Sequence, residues 1–457
     1  MSTDKSVKTY TMDLCEGSIL NKLLLFTIPL IASSILQLLF NAADVIVVGR
    51  FAGDNSLAAV GSTSSIIHLI TNVFIGLSVG ANVLVARYFA AKQEQELRKT
   101  VHTSIAISIV CGIFMAILGI LVAKWVLVLT QSPEEVIDLA TIYLRIYFLG
   151  MPATMLYNFG AAILRGVGDT KRPLYYLTFA GVVNVVLNLI FVIAFHMDVA
   201  GVALATIVSQ YISAFLVLRC LKGEQEGIRL ETKYLAVDKS ILFLILRIGL
   251  PAGIQGSLFS LSNVVIQSSI NSFGAVVVAG NSAAGNIEGF VYVAMNAFSQ
   301  AIVAFVSQNI GAGKYERINK IVITTQLCVL VVGLALGNAV YLFGRPLLGL
   351  YSDSSDVIAA GLVRLAYIGI PYALCGVMDV MVGALRGLGY SVAPMIVSLL
   401  GACVFRIVWI SLLFQQEQFH TIETVYLAYP ISWTLTLIAH IICFFYARNR
   451  MRKILQQ

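Results

Sequence analysis

Three carboxylates lie where a carboxylate is costly. Most of the 23 acidic residues fall in polar connections or at the ends of apolar runs, whereas Asp44, Glu288 and Asp379 sit well inside them. An Asp at the centre of a membrane helix costs about 2.5–3.5 kcal/mol on insertion scales, so each of the three calls for a function. Asp44 has company. At about 1.5 Å of rise per residue it lies roughly 8 Å below the outer end of its run, and Asn188 and Thr206, in two later runs, lie at about 10 Å. Asn184 is one turn deeper on the face of Asn188, and Asn41 precedes Asp44 by three residues on a shared face. One carboxylate with amide and hydroxyl oxygens is hard-ligand chemistry for a small cation, Na+ at Asp44, Asn184, Asn188 and Thr206, or a proton site on Asp44.

The remaining polar residues within apolar runs offer less. Glu288 and Arg406 are either a buried ion pair with each other or contacts for a substrate. Asp379 is a candidate for secondary coupling. Gln37 and Tyr157 either line a cleft or make helix–helix hydrogen bonds, the second reading being favoured. The seven cysteines are scattered singly, without the paired spacing of zinc or redox sites. No phosphate-binding loop of the Walker type occurs, which argues against drive by ATP from this chain, and no cofactor is expected.

The elements that position these residues are membrane helices. The 457 residues are 59% apolar and 12% charged, with a mean hydropathy of +0.89, against about 25% charged in an ordinary soluble domain. Apolar runs of sufficient length predict twelve spans, near 20–49, 57–86, 100–123, 136–163, 174–195, 199–220, 240–270, 276–305, 318–343, 357–385, 391–414 and 422–447. Pro29, Pro152, Pro251, Pro371 and Pro430 fall inside them as expected kinks. The first run is too long for a signal-peptide core and is expected to remain as a span. Twenty-four of the thirty Lys and Arg residues fall on one side if the N-terminus is cytoplasmic, and three on the other. That bias places both termini in the cytoplasm and explains the net charge of +7 without nucleic acid.

The chain is also duplicated. Ile28-Pro29 with Asn41 matches Leu250-Pro251 with Asn263, 222 residues on. Arg145, Gly150 and Pro152 match Arg364, Gly369 and Pro371, and Leu164-Arg165-Gly166-Val167-Gly168 matches Leu385-Arg386-Gly387-Leu388-Gly389. Six spans per repeat make the repeats parallel. The expectation is an all-α polytopic membrane protein with twelve transmembrane helices in two pseudo-symmetric six-helix bundles. The segments are 1–19, a cytoplasmic N-terminal segment; 20–221, the first lobe; 222–239, a cytoplasmic linker tolerant of length changes; 240–447, the second lobe; and 448–457, a cytoplasmic tail. At matching offsets Asp44 becomes Ile266, Asn184 becomes Phe405 and Asn188 becomes Trp409. The scaffold repeats but this polarity does not, which favours function over structure.

These motifs resemble those of the multidrug and toxic compound extrusion (MATE) family. The resemblance rests on Asp44 followed by Val48-Gly49, the doubled LRGVGDT and LRGLGYS segments, and Ser307-Gln308-Asn309-Ile310-Gly311-Ala312-Gly313, and covers roughly residues 17 to 447. It implies two lobes opening alternately to each side, and export. In archaeal-type members a cation site of one Asp, an Asn with a second Asp, and a Thr is similar to Asp44, Asn184 and Thr206, with Asn188 where the second Asp would stand. The function expected is cation-coupled (Na+ or H+) antiport of small organic, often cationic amphipathic, compounds. A flippase for a lipid-linked precursor is the alternative. The expected setting is the inner or plasma membrane, with a small-molecule substrate and the bilayer as partners, and a monomer.

Overall fold

A chain that crosses lipid must satisfy its backbone internally, which helices do. The computed structural model describes residues 10–130, 134–225 and 227–456, without the side chains of residues 54, 65 and 452–456. Residues 1–9 of the N-terminal segment and the last residue of the tail lie outside the described residues. Within them no strand occurs.

The helices run in order α1 (Ile19–Phe51), α2 (Asp54–Ala90), α3 (Glu94–Leu129), α4 (Glu134–Leu149), α5 (Met151–Gly166), α6 (Lys171–Leu189), α7 (Asp198–Lys222), α8 (Lys239–Asn271), α9 (Ala275–Gly311), α10 (Tyr315–Leu342), α11 (Gly344–Gly349), α12 (Ser355–Arg364), α13 (Ala373–Gly387), α14 (Val392–Ser398), α15 (Phe405–Val408) and α16 (Ile422–Gln456). Among the described residues eleven helical stretches are long and apolar enough to span a membrane, and α4 with α5 make a twelfth, bent by 46°. The bend falls where Gly150 precedes Pro152. Proline lacks the N–H that would continue the ladder, while its fixed φ suits the first turn of α5. Large side chains such as Leu121, Trp125 and Phe215 stand more than 60% exposed along these helices, a surface suited to lipid and not to water.

The chain divides into two compact units. The first holds Met1–Thr63, Ala81–Phe243 and Ser307–Tyr315; the second holds Ser64–Gly80, Leu244–Val306 and Glu316–Gln457. The first is cored by Val85, Val101, Ile105, Ile163, Leu164 and Val217. The second is cored by Ile266, Ile368, Met378, Tyr426 and Trp433. The stretch 222–239, polar enough to suggest a loose linker, is anchored to the first unit instead. Ile228 and Leu230 join its core, Thr103 Oγ1 accepts from the Asp238 amide at 3.1 Å, and Arg98 stacks on Tyr234 at 3.9 Å.

The N-terminal segment is pinned to the same unit. The Met12 amide donates to Val167 O at 3.2 Å. The Leu14 amide donates to Gln308 Oε1 at 3.1 Å, and Leu14 O accepts from Asn309 Nδ2 at 3.1 Å. Gln308 Nε2 in turn donates to Gly166 O at 2.8 Å. Only glycine fits at 168. Its φ is +92°, and a Cβ there would stand 2.3 Å from Met12 O. Two motifs quoted from the sequence, LRGVG and SQNIGAG, thus meet on one strand of otherwise plain chain.

Four π-helical segments interrupt the spans: Ile190–Ala194 directly after α6, Leu365–Gly369 directly after α12, and Leu399–Val404 and Trp409–Leu413 on either side of α15. Such wide turns occur often at functional sites. Here Arg364 directly precedes one of them, Asn188 lies two residues before another, and Arg406 lies between the last two.

Candidate cation site

In the first unit, α1, α6 and α7 bring one carboxylate and three neutral side chains together. Helix α1 starts at Ser18, whose side chain caps the amide of Asn21, and carries Asp44 in its last two turns. Helix α6 can lie close against α1 because residue 181 is glycine: a Cβ there would meet the Phe40 ring at 1.8 Å. One turn further, Asn184 and Asn188 face inward, 4% and 0% exposed.

Asn188 Nδ2 donates to Asp44 Oδ1. Thr206 Oγ1 stands 3.5 Å from Asp44 Oδ2, Asn184 Nδ2 stands 3.4 Å from Thr206 Oγ1, and Asn188 Nδ2 is also 3.4 Å from Asn184 Oδ1. The last three contacts are long for hydrogen bonds, so the group is gathered without being tightly closed. Asn188 Oδ1 is buried without a partner among the described residues, an acceptor open to a donor or a cation. One carboxylate and three or four neutral oxygens suit a small hard cation. Asn41, expected on the same face, is exposed and hydrogen-bonds to none of these residues. Gln37 is likewise exposed. Tyr157 donates to Pro173 O at 3.1 Å, the helix–helix bond of the plainer reading.

The second unit holds the other two carboxylates. Glu288 does not pair with Arg406. It takes a forked contact from Arg364, with Nη2 to Oε2 at 2.8 Å and Nε to both oxygens at 3.2 Å, and Arg364 Nη1 also donates to Asn281 Oδ1 at 2.5 Å. Depth along the spans did not separate the two arginines; the sequence signal for Arg364 was its place inside a span, repeating Arg145. Asp379 faces Tyr292 and Arg386; the sequence offered Arg386 only as part of the repeated LRG motif and Tyr292 not at all. Arg386 Nη2 donates to Gln255 Oε1 at 2.9 Å, and Gln255 continues through Ser398 at 3.1 Å to His440 at 3.0 Å. Ile266, the repeat partner of Asp44, is fully buried among apolar side chains. The oxygen cluster therefore belongs to the first unit only.

The chain matches the family described as MatE over residues 29–190 and 251–411, two segments that open on the repeated prolines. It is 27% identical over 435 residues to the probable multidrug resistance protein YoeA of Bacillus subtilis (strain 168), covering 93% of each. It is 28% identical to the probable multidrug resistance protein YpnP of the same organism, covering 86% of this chain and 88% of the relative. A solved structure described as MATE in complex with MaL6 is similar in fold, with a TM-score of 0.88 at 22% identity over 97% of this chain and 99% of that one. A duplicated, all-helical, membrane-spanning scaffold and a match over both repeats lead to one family: the chain belongs to the MatE family of multidrug and toxic compound extrusion transporters.

Proposed function

We propose that this protein exports small organic compounds, often cationic and amphipathic, by antiport against Na+ or H+, with Asp44 as the coupling residue. The relatives named as multidrug resistance proteins support the substrate class. The observation that carries the coupling assignment is the Asp44 carboxylate held by Asn188 and Thr206 beside an unpartnered Asn188 oxygen. A bound cation can drive a conformational change only through unequal affinity for the two states. A carboxylate on α1 facing two other helices supplies that difference when their spacing changes. The termini are cytoplasmic in this reading, and the monomer is the working unit.

The test is export from proteoliposomes under a Na+ gradient and, separately, a proton gradient. Asp44→Asn keeps side-chain volume and removes the charge, so export should fall to the passive rate under the gradient that drives the wild type, with insertion intact. Wild-type export by the Asn variant would make Asp44 structural.

A further inference from the structure

Three arginines of the second unit, Arg364, Arg386 and Arg406, lie on helices that carry or pack beside its two deep acids, and they are not equally matched. Arg364 meets Glu288 at 2.8 Å and Arg386 faces Asp379. Arg406 is only 3% exposed, and among the described residues no carboxylate stands within ion-pair distance of it, Glu288 being held by Arg364. Its Nε donates to Ser432 Oγ at 2.9 Å, and its Nη2 has no partner among the described residues. Burying a guanidinium with a donor unused is strongly unfavourable. The rings offset part of this: the guanidinium carbon lies 4.2 Å from the Tyr429 centroid and 5.9 Å from that of Trp433. They leave the missing acceptor unsupplied.

The backbone marks the same place. Arg406 sits on the four-residue helix α15, between the π segments Leu399–Val404 and Trp409–Leu413. Its neighbours Phe405 and Trp409 are the repeat counterparts of Asn184 and Asn188, and Val185 is its own. Where the first unit sets side-chain amides beside a carboxylate, the second sets the rings of Tyr429 and Trp433 beside a guanidinium.

We propose that Arg406 is an anion subsite, taking the carboxylate or phosphate of a compound with a flat aromatic body. Nη2 donates to the anionic oxygen, and Tyr429 and Trp433 pack against the ring beside it. Substrates of the second unit are then aromatic acids or zwitterions. The inference rests on the export reading for the direction of travel, but the binding step does not need it. A phospholipid headgroup offers the same anionic oxygens and is distinguished below.

The experiment is equilibrium dialysis of radiolabelled 2-naphthoate against the full-length protein in phosphatidylcholine nanodiscs, with 2-naphthylmethylammonium and inorganic phosphate as competitors. Saturable naphthoate binding is expected, displaced by phosphate but not by the ammonium compound. It should weaken at least tenfold in Arg406→Met and less in Arg406→Lys. If phosphatidylglycerol in the discs displaces naphthoate from the wild type, the anion site stands and a lipid headgroup is its source. Equal competition by the ammonium compound, no competition by phosphate, or wild-type affinity in Arg406→Met would overturn the proposal. The two competition results need only the wild type, so they decide the matter even if Arg406→Met fails to fold. Asp44→Asn is read for export and Arg406→Met for naphthoate binding, so each assignment can fail while the other stands.

Discussion

Asn188→Asp tests the logic of the cation site more sharply than its destruction does. The substitution keeps the shape of the side chain and changes two things. It removes the Nδ2 donor that Asp44 Oδ1 accepts, a hydrogen bond to a charged group worth about 1.5–3 kcal/mol that competes with any incoming cation. It also sets a second carboxylate against the first. At a separation of about 4 Å and an effective dielectric constant of about 20 that repulsion is about 4 kcal/mol, and a cation between the two relieves it. Each 1.36 kcal/mol is about one decade, so the Coulomb part alone approaches three decades of cation affinity. The burial of Asn188 limits screening by water, and a gain of at least tenfold should survive local relaxation. The assay is half-saturation of export in proteoliposomes, titrated with external Na+ at fixed pH and with protons in the absence of Na+. One of the two curves should move to lower cation concentration by tenfold or more, and the maximal rate should fall because a tighter ion leaves more slowly. If neither curve moves, Asn188 does not share a cation with Asp44 and the reasoning is refuted.

Two further outcomes follow from packing and charge. Gly181→Ala places a methyl 1.8 Å from the Phe40 ring, an overpacking cost of about 1–3 kcal/mol that should push α6 from α1 and depress export. Phe40→Leu in the same chain should restore export, and failure to do so would show that the defect lies elsewhere. Glu288→Gln leaves Arg364 buried and unpaired, a loss of about 3–5 kcal/mol visible as a lowered melting temperature in detergent. Adding Arg364→Met should recover most of it; a single variant that melts like the wild type would mean the pair is not structural.

Much of the site was legible because membrane depth is nearly a linear function of residue number. Counting from span ends put Asp44, Asn188 and Thr206 at one height, and the helices do bring them together. Height says nothing of azimuth, which is why Glu288 was considered with Arg406 and is found with Arg364; Asn41, expected on the face of Asp44, is exposed. The break at Gly150 was foreshadowed by Pro152, since proline has a local physical effect. The π segments were not, because an extra residue per turn leaves no mark on composition. The anchoring of 222–239 was hidden by its charges, with two apolar residues, Ile228 and Leu230, deciding the outcome.

The pinned N-terminal segment has a consequence for how the protein is made. The Leu14 amide is satisfied by Gln308, which is synthesised 294 residues later. At about 5–20 residues per second, those two groups are separated by roughly 15–60 s of synthesis. Over that interval the leading edge of the first repeat lacks these partners. Its last hydrogen bonds come from a helix that belongs mostly to the second repeat. Biogenesis of the first unit therefore closes only after the ribosome has passed residue 309, and a chain stopped between the repeats would present an open edge to quality-control proteases.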